Sequence, residues 1–306
     1  MAETTEIRMT SLTWGLLLLL GLIWGGSFFF ARIAVQHIPP FSLVFLRLSL
    51  AALALHIYIA GRFDLYATLR ARWPQFLLLG LINNAIPHTL IFMGQTQIGA
   101  GLAAILNAST PIWTVLIANR LTADEKLTSA KLIGCLVGLA GTAVLIGPGA
   151  FTKADIPYWA LLLPVAAAIS YGFAATYGKR FRGLAAPVTA TGQLTASSIL
   201  ILPVALLADQ PWMLPMPPTN VVLSVLALAL VSTAFAYILF FRIMARAGAT
   251  NASLVTLLVP PSAILLGWLF LSERLEAIDL LAMALIALGL VILDGRMMAR
   301  LTARRT

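Results

Sequence analysis

Asn84, His88, Ile91 and Gln95 recur at i, i+4, i+7 and i+11, so a helix through them carries one polar face, interrupted by Pro87. Within an apolar stretch such a face either lines a wet cavity or bonds to neighbouring helices. Thr233 and Tyr237 repeat it in the second half of the chain. Asn107, Ser109 and Thr110 precede Pro111, with Trp113 just beyond, and Ser262 follows Pro260 and Pro261. A proline frees a carbonyl one turn back. Beside hydroxyls and an amide, that carbonyl could hold the ammonium and carboxylate of a zwitterion without a fixed charge. Pro87, Pro111, Pro260 and Pro261 could equally act as hinges. Trp24 and Tyr171, each near the middle of an apolar stretch, offer stacking faces to an aromatic solute or serve as packing. Arg47 is the one formal charge away from the ends of the apolar stretches, a candidate for substrate contact or for bonding helix-end carbonyls. His88 could carry a proton or simply orient a neighbour.

Other chemistries lack their residues. All eleven acids fall in tails, loops or the ends of apolar stretches, so no buried carboxylate is available to move a proton. An intramembrane hydrolase would pair a serine with His88, but no Gly-x-Ser-x-Gly turn occurs. ATP-driven pumping would need a Gly-x-x-x-x-Gly-Lys-Ser/Thr loop, which is also absent. The single Cys135 lies in an apolar run as a small packing residue. The expectation is no enzyme, no metal and no cofactor.

The elements that position these residues follow from a chain 60% hydrophobic and 10% charged. Ten apolar stretches run approximately over 12–31, 41–60, 73–93, 99–119, 128–146, 157–177, 187–208, 221–241, 249–271 and 277–293. Each is about twenty residues, the span of a bilayer. Continuous apolar runs exclude a barrel of alternating strands, so the fold class is an all-α membrane protein of ten transmembrane helices. Arg8 followed by Leu16–Leu20 imitates a signal peptide, but no small-x-small cleavage site follows.

The net charge of +9 is distributed by side. With the N-terminus inside, 16 lysines and arginines fall in cytoplasmic loops and tails, among them Arg8, Arg62, Lys126, Lys179 and Arg296, against Arg32, Lys153 and Arg274 outside. This bias places both termini in the cytoplasm and leaves no reason to invoke nucleic acid.

The two halves match at a shift of 147 to 149 residues: Trp24-Gly25 with Tyr171-Gly172, Pro40 with Pro187, Gly99-Ala100 with Gly248-Ala249, Glu125-Lys126-Leu127 with Glu273-Arg274-Leu275, and Gly141 with Gly289. The division is residues 1–150 and 151–306, five helices each. Five being odd, the second half crosses in the opposite sense, the inverted repeat of alternating-access carriers. Gly134 and Gly138 form a GxxxG spacing suited to close packing within one chain.

The ten-helix length, Trp24-Gly25, Leu46-Arg47-Leu48 and the Glu-Lys/Arg-Leu turns after helices four and nine resemble the drug/metabolite transporter superfamily, with halves similar to EamA repeats. Within it the chain looks most like the YddG-type exporters of aromatic and other neutral amino acids. The resemblance implies export across the inner membrane of a small-molecule substrate, with lipid as surroundings and no obligate protein partner. Substrate contacts are then expected from Trp24, Asn84, His88, Asn107, Ser109, Trp113, Tyr171, Tyr237 and Ser262. The alternatives are an exchanger of anionic metabolites such as nucleotide sugars or sugar phosphates, relying on Arg47, and the intramembrane hydrolase.

Overall fold

The computed structural model describes residues 9–61, 63–123, 125, 127–146, 156–262 and 277–294. Glu273, Arg274 and Leu275, and the cations Arg8, Arg62, Lys126, Lys153, Arg296, Arg300, Arg304 and Arg305, lie outside the described residues, as does the expected end of the ninth helix.

The described chain is helical. We label the bundle helices α1 (Ser11–Ala34), α2 (Pro40–Ile59), α3 (Trp73–Gln95), α4 (Ala100–Leu121), α5 (Ser129–Ile146), α6 (Tyr158–Phe181), α7 (Ala186–Asp209) and α10 (Ala277–Asp294). A further run, Thr219–Ser253, turns at Gly248, whose φ of 84° lies in the region that favours glycine. Residues 219–247 are therefore α8, and 249–262 form the described part of α9. Seven runs, the undivided Thr219–Ser253 among them, are long and apolar enough to cross a membrane, and α5 and α10 contribute shorter apolar helices. α8 continues past the expected end at residue 241 because Arg242 and Arg246 end the apolar stretch without ending the helix.

Helix starts follow local chemistry. The Thr10 hydroxyl accepts the Thr13 backbone N–H at 3.2 Å at the start of α1. Prolines occupy the first turn of α2, α3 and α7, where no intrahelical N–H is needed.

The interior is turned outside in relative to a soluble protein. Leu18, Phe29, Ile57 and Leu162 are exposed, whereas Thr13, Asn84, Gln95 and Gln193 are fully buried. Exposed apolar faces suit lipid, and buried polar groups find partners between helices.

Packing respects the inverted repeat. The contact of α1 with α8 has its counterpart in α6 with α3, and α2 with α8 in α7 with α3; α2 with α7 and α5 with α10 pair equivalent helices. In the last pair the backbones touch. A Cβ on Gly134 would lie 2.7 Å from the Gly289 carbonyl, and one on Gly289 would lie 2.6 Å from the Gly138 nitrogen, so the GxxxG spacing packs within the chain.

Among the described residues, three helices contain π-helical turns. Leu81–Ala85 in α3 and Ala227–Phe235 in α8 are repeat equivalents, and Ala205–Asp209 ends α7. Each such turn inserts a residue and rotates the face that follows. α4 breaks at Ala108 and Ser109, just before Pro111, as expected from the proline. α9 does not break where expected. Its turn is at Leu254, and helix continues through Pro260 and Pro261.

Candidate functional site

A central cavity of about 770 Å³, counted to its mouth, is lined from seven of the described helices. α1 supplies Trp24, Ser27, Phe28 and Ala31, α2 supplies Arg47, and α3 supplies Asn83, His88, Ile91, Phe92 and Gln95. The other half contributes Tyr171 and Ala175 from α6 and Tyr237 and Phe240 from α8, and the broken helices add Asn107 and Thr110 from α4 and Ser253, Val255, Thr256 and Val259 from α9.

The aromatic wall obeys the repeat. Trp24 meets Tyr237 with ring centroids 6.2 Å apart at 76°, and its repeat equivalent Tyr171 meets His88 at 6.4 Å and 69°. Tyr237 and His88 occupy equivalent positions 149 residues apart. Phe240 lies 5.6 Å from Trp24, and Phe92 stacks on His88 at 6.3 Å.

The π-helical turns decide which polar atoms are used. In α8 the Ser232 carbonyl accepts from Trp24 Nε1 at 3.1 Å and from Arg47 Nη2 at 3.3 Å. The adjacent Thr233 hydroxyl accepts from Arg47 Nε at 2.7 Å. In α3 the carbonyls four and five residues before Pro87 take side-chain donors: the Tyr237 hydroxyl donates to Asn83 O at 3.3 Å and the Ser170 hydroxyl to Ile82 O at 2.7 Å. Both carbonyls are therefore taken by side chains of the opposite half.

The same turn corrects Asn84. Across a π-helical turn a face advances by five residues, so Asn83, not Asn84, shares the cavity with His88. Asn84 is fully buried against α7 and donates to the Ser197 hydroxyl at 2.9 Å. Asn83 donates from Nδ2 to Gln193 Oε1 at 2.8 Å, reaching the same helix from the cavity side.

Of the other expected contacts, Trp24, His88, Asn107, Tyr171, Tyr237 and Arg47 come together around the cavity. Ser109 and Trp113 do not: the Ser109 hydroxyl donates to the Leu106 carbonyl at 2.7 Å and accepts from Trp113 Nε1 at 3.3 Å, away from the lining. Ser109 sits at the break in α4 and Trp113 one turn beyond it, where Gly172 of α6 approaches the Trp113 backbone. Ser262, Pro87, Pro111 and Pro260 are buried and Pro261 is half-buried, all outside the lining. Phe92, Phe240 and Thr256 carry no spacing signal that sets them apart from packing residues.

Three buried polar atoms of lining residues have no hydrogen-bond partner: His88 Nδ1, Gln95 Oε1 and Asn107 Oδ1. Buried polar groups are ordinarily satisfied. All three belong to residues of one cavity lining, whereas Ser42 Oγ, Asn84 Oδ1, Thr89 Oγ1 and Gln193 Nε2 are unpartnered outside it. Among the described residues no group of three His, Cys, Asp or Glu could hold a metal ion.

Away from the cavity, Glu125 in the loop between α4 and α5 joins the two halves. Its carboxylate accepts the backbone N–H of Ala249 at 3.0 Å and of Thr250 at 2.9 Å, at the start of α9. It also accepts the Thr250 hydroxyl and pairs with Lys179 Nζ at 3.0 Å. Burial alone would raise its pKa, but the Thr250 hydrogen bonds and the Lys179 charge hold it below the ordinary carboxylate value. At the other end, Asp209 accepts the Ser42 N–H at 2.6 Å in the first turn of α2.

The family model of the EamA-like transporter family matches residues 12–147 and again 158–293. Similar proteins include an uncharacterized transporter of Archaeoglobus fulgidus, 26% identical, covering 91% of this chain and 97% of its own. The uncharacterized inner membrane transporter YedA of Escherichia coli is 26% identical over 91% of this chain and 89% of its own. A probable terminal-alkyne amino-acid exporter of Streptantibioticus cattleyicolor is 24% identical over 96% and 97%. One solved crystal structure superposes with a TM-score of 0.75 at 22% identity, covering 93% of this chain and 98% of that one, a likeness of fold. Two matched repeats facing each other across a central cavity make this multi-pass membrane protein a member of the EamA-like transporter family.

Proposed function

We propose that the chain is a secondary carrier that exports small, largely neutral metabolites, aromatic and other neutral amino acids foremost, by alternating access. The observation that carries the reading is the central cavity, lined by aromatic side chains from both halves and by three residues that each carry an unpartnered polar atom. Trp24, Phe240 and Tyr237 suit an apolar or aromatic side chain. Asn83, His88, Asn107 and Tyr171 supply the directional contacts. Residues 1–150 and 151–306 act as the two rocking halves, and a helix pair such as α4 and α9, bent near Ser109 and Leu254, supplies the flexure. The amino-acid exporter of Streptantibioticus cattleyicolor lends support to the substrate class. The excess of cations in alternate loops supports an inner-membrane orientation with both termini cytoplasmic.

Purified protein in liposomes preloaded with phenylalanine or tryptophan, at equal pH on both sides and zero potential, tests the reading. Protein-dependent release is the expected result. Release that waits for a pH gradient would replace facilitated diffusion by proton coupling through His88. Absence of release under both conditions would overturn the amino-acid assignment. Arg47, a buried cation in the cavity, favours a second reading as an exchanger of anionic metabolites, for which sugar phosphates would be transported and phenylalanine would not.

A further inference from the structure

We infer that the cavity reads its solute by two poles, the carboxylate on the guanidinium of Arg47 and the ammonium on the amide oxygens of Gln95 and Asn107. The inference rests on the carrier reading above and adds which residues recognise which group.

Arg47 is 5% exposed, and its bonded partners are the Thr233 hydroxyl and the Ser232 carbonyl, with the ring of Phe92 5.8 Å from its Cζ. All three are neutral. No described carboxylate pairs with it, so a full positive charge stands in the protein interior compensated only by dipoles. A guanidinium carries five N–H donors, and these two bonds leave three of them for a guest. A carboxylate matches the remaining fork and supplies the missing charge.

The second pole is formed by two amide side chains, and the backbone carbonyl of one of them, Gln95, accepts from Arg32 Nη1. Gln95 is fully buried and Asn107 is 5% exposed, and each has an amide oxygen without a partner. The orientation of the Gln95 amide is fixed chemically: its nitrogen donates to the Phe28 carbonyl at 3.1 Å, an atom that can only accept, so the oxygen is left over. An ammonium has three donors and no acceptor, the complement of two such oxygens. His88 Nδ1, the third unpartnered atom, can donate or accept according to tautomer and does not set the polarity. The recognised unit is thus the α-amino acid head, and the aromatic wall takes whatever side chain it bears. This differs from holding both groups at the proline breaks. Ser109 is engaged with Leu106 and Trp113, whereas Arg47 supplies a fixed charge.

Counterflow of labelled phenylalanine in proteoliposomes, competed with phenylalaninamide and with N-acetylphenylalanine, tests both poles. Phenylalaninamide lacks the carboxylate and N-acetylphenylalanine lacks the ammonium. Each is expected to compete at least about tenfold more weakly than phenylalanine, because a site built for a polar group rejects the analogue without it. Asn107→Asp and Gln95→Glu place a negative charge at the ammonium pole and should shift preference towards phenylalaninamide. Arg47→Gln should abolish phenylalanine counterflow. Since Arg47 also ties α2 to α8, the competitor series in the unaltered protein decides independently of that variant. Equal competition by phenylalaninamide overturns the Arg47 pole, and equal competition by N-acetylphenylalanine overturns the amide pole. Absence of any phenylalanine counterflow overturns the carrier reading and this inference together.

Discussion

Two carboxylates, one at each end of the bundle, cap a helix belonging to the opposite half. Glu125 caps α9 and Asp209 caps α2. An acidic side chain at a helix N-terminus satisfies free N–H groups and meets the positive end of the helix dipole. The two contacts are nevertheless unequal. Glu125 is 6% exposed and engages two backbone amides, a hydroxyl and the Lys179 ammonium, whereas Asp209 is half-buried and makes a single bond to Ser42. A buried charge is held by all its partners at once, while a half-exposed one can trade its bond for water. One end of the bundle is therefore tied across the halves by a cluster, the other by a single bond that can be exchanged.

The strongest test removes Glu125. Glu125→Ala leaves the α9 amides without their cap, takes the paired carboxylate from Lys179 and should cost about 3 kcal/mol, read as a lowered Tm of the detergent-solubilised protein. Asp209→Ala should cost about 1 kcal/mol, and equal losses would break the comparison. The same Glu125→Ala change should speed the reaction of a thiol at the cavity position Ser253→Cys with a membrane-impermeant reagent several-fold. An unchanged rate would show that the cluster ties the halves without sealing the cavity from that end. Cys135 is buried and gives little background.

Thr250→Val removes one of Glu125's bonds and retains the amides, so a loss of about 1 kcal/mol is expected. A larger loss would make the hydroxyl the main anchor. The smallest effect concerns pH. A carboxylate whose pKa is lower in the folded than in the unfolded protein contributes stability above its unfolded value and loses it as pH falls through the folded one. For Glu125, which faces Lys179, thermal stability should hold down to the ordinary carboxylate value of 4.5 and decline only below it, and the decline should shrink in Glu125→Gln. A decline beginning near neutrality would place the sensitivity on another group.

Within the cavity the polar face of α3 shows how far periodicity reaches. His88, Ile91 and Gln95 share the lining as 3.6-residue spacing requires, yet Asn84 falls on α7 because the π-helical turn at residues 81–85 shifts the register before it. Trp24 and Tyr171 were legible as repeat equivalents, but not their partners Tyr237 and His88. The matching Glu125 and Glu273 turns stood out in sequence without disclosing a role, since the backbone amides that Glu125 caps lie 124 and 125 residues further along the chain. Arg47 was visible as a lone charge; its neutral surroundings were not.

Hydropathy, charge bias and the internal repeat alone determined a ten-helix bundle of two inverted halves, because these properties depend on local composition and on comparison of the chain with itself. The tertiary structure decided how each helix is rotated, where α3 and α8 take an extra residue, and which polar atoms are left unpartnered. Those outcomes depend on contacts between helices far apart in sequence, where one residue of π-helical insertion exchanges Asn84 for Asn83 at the cavity.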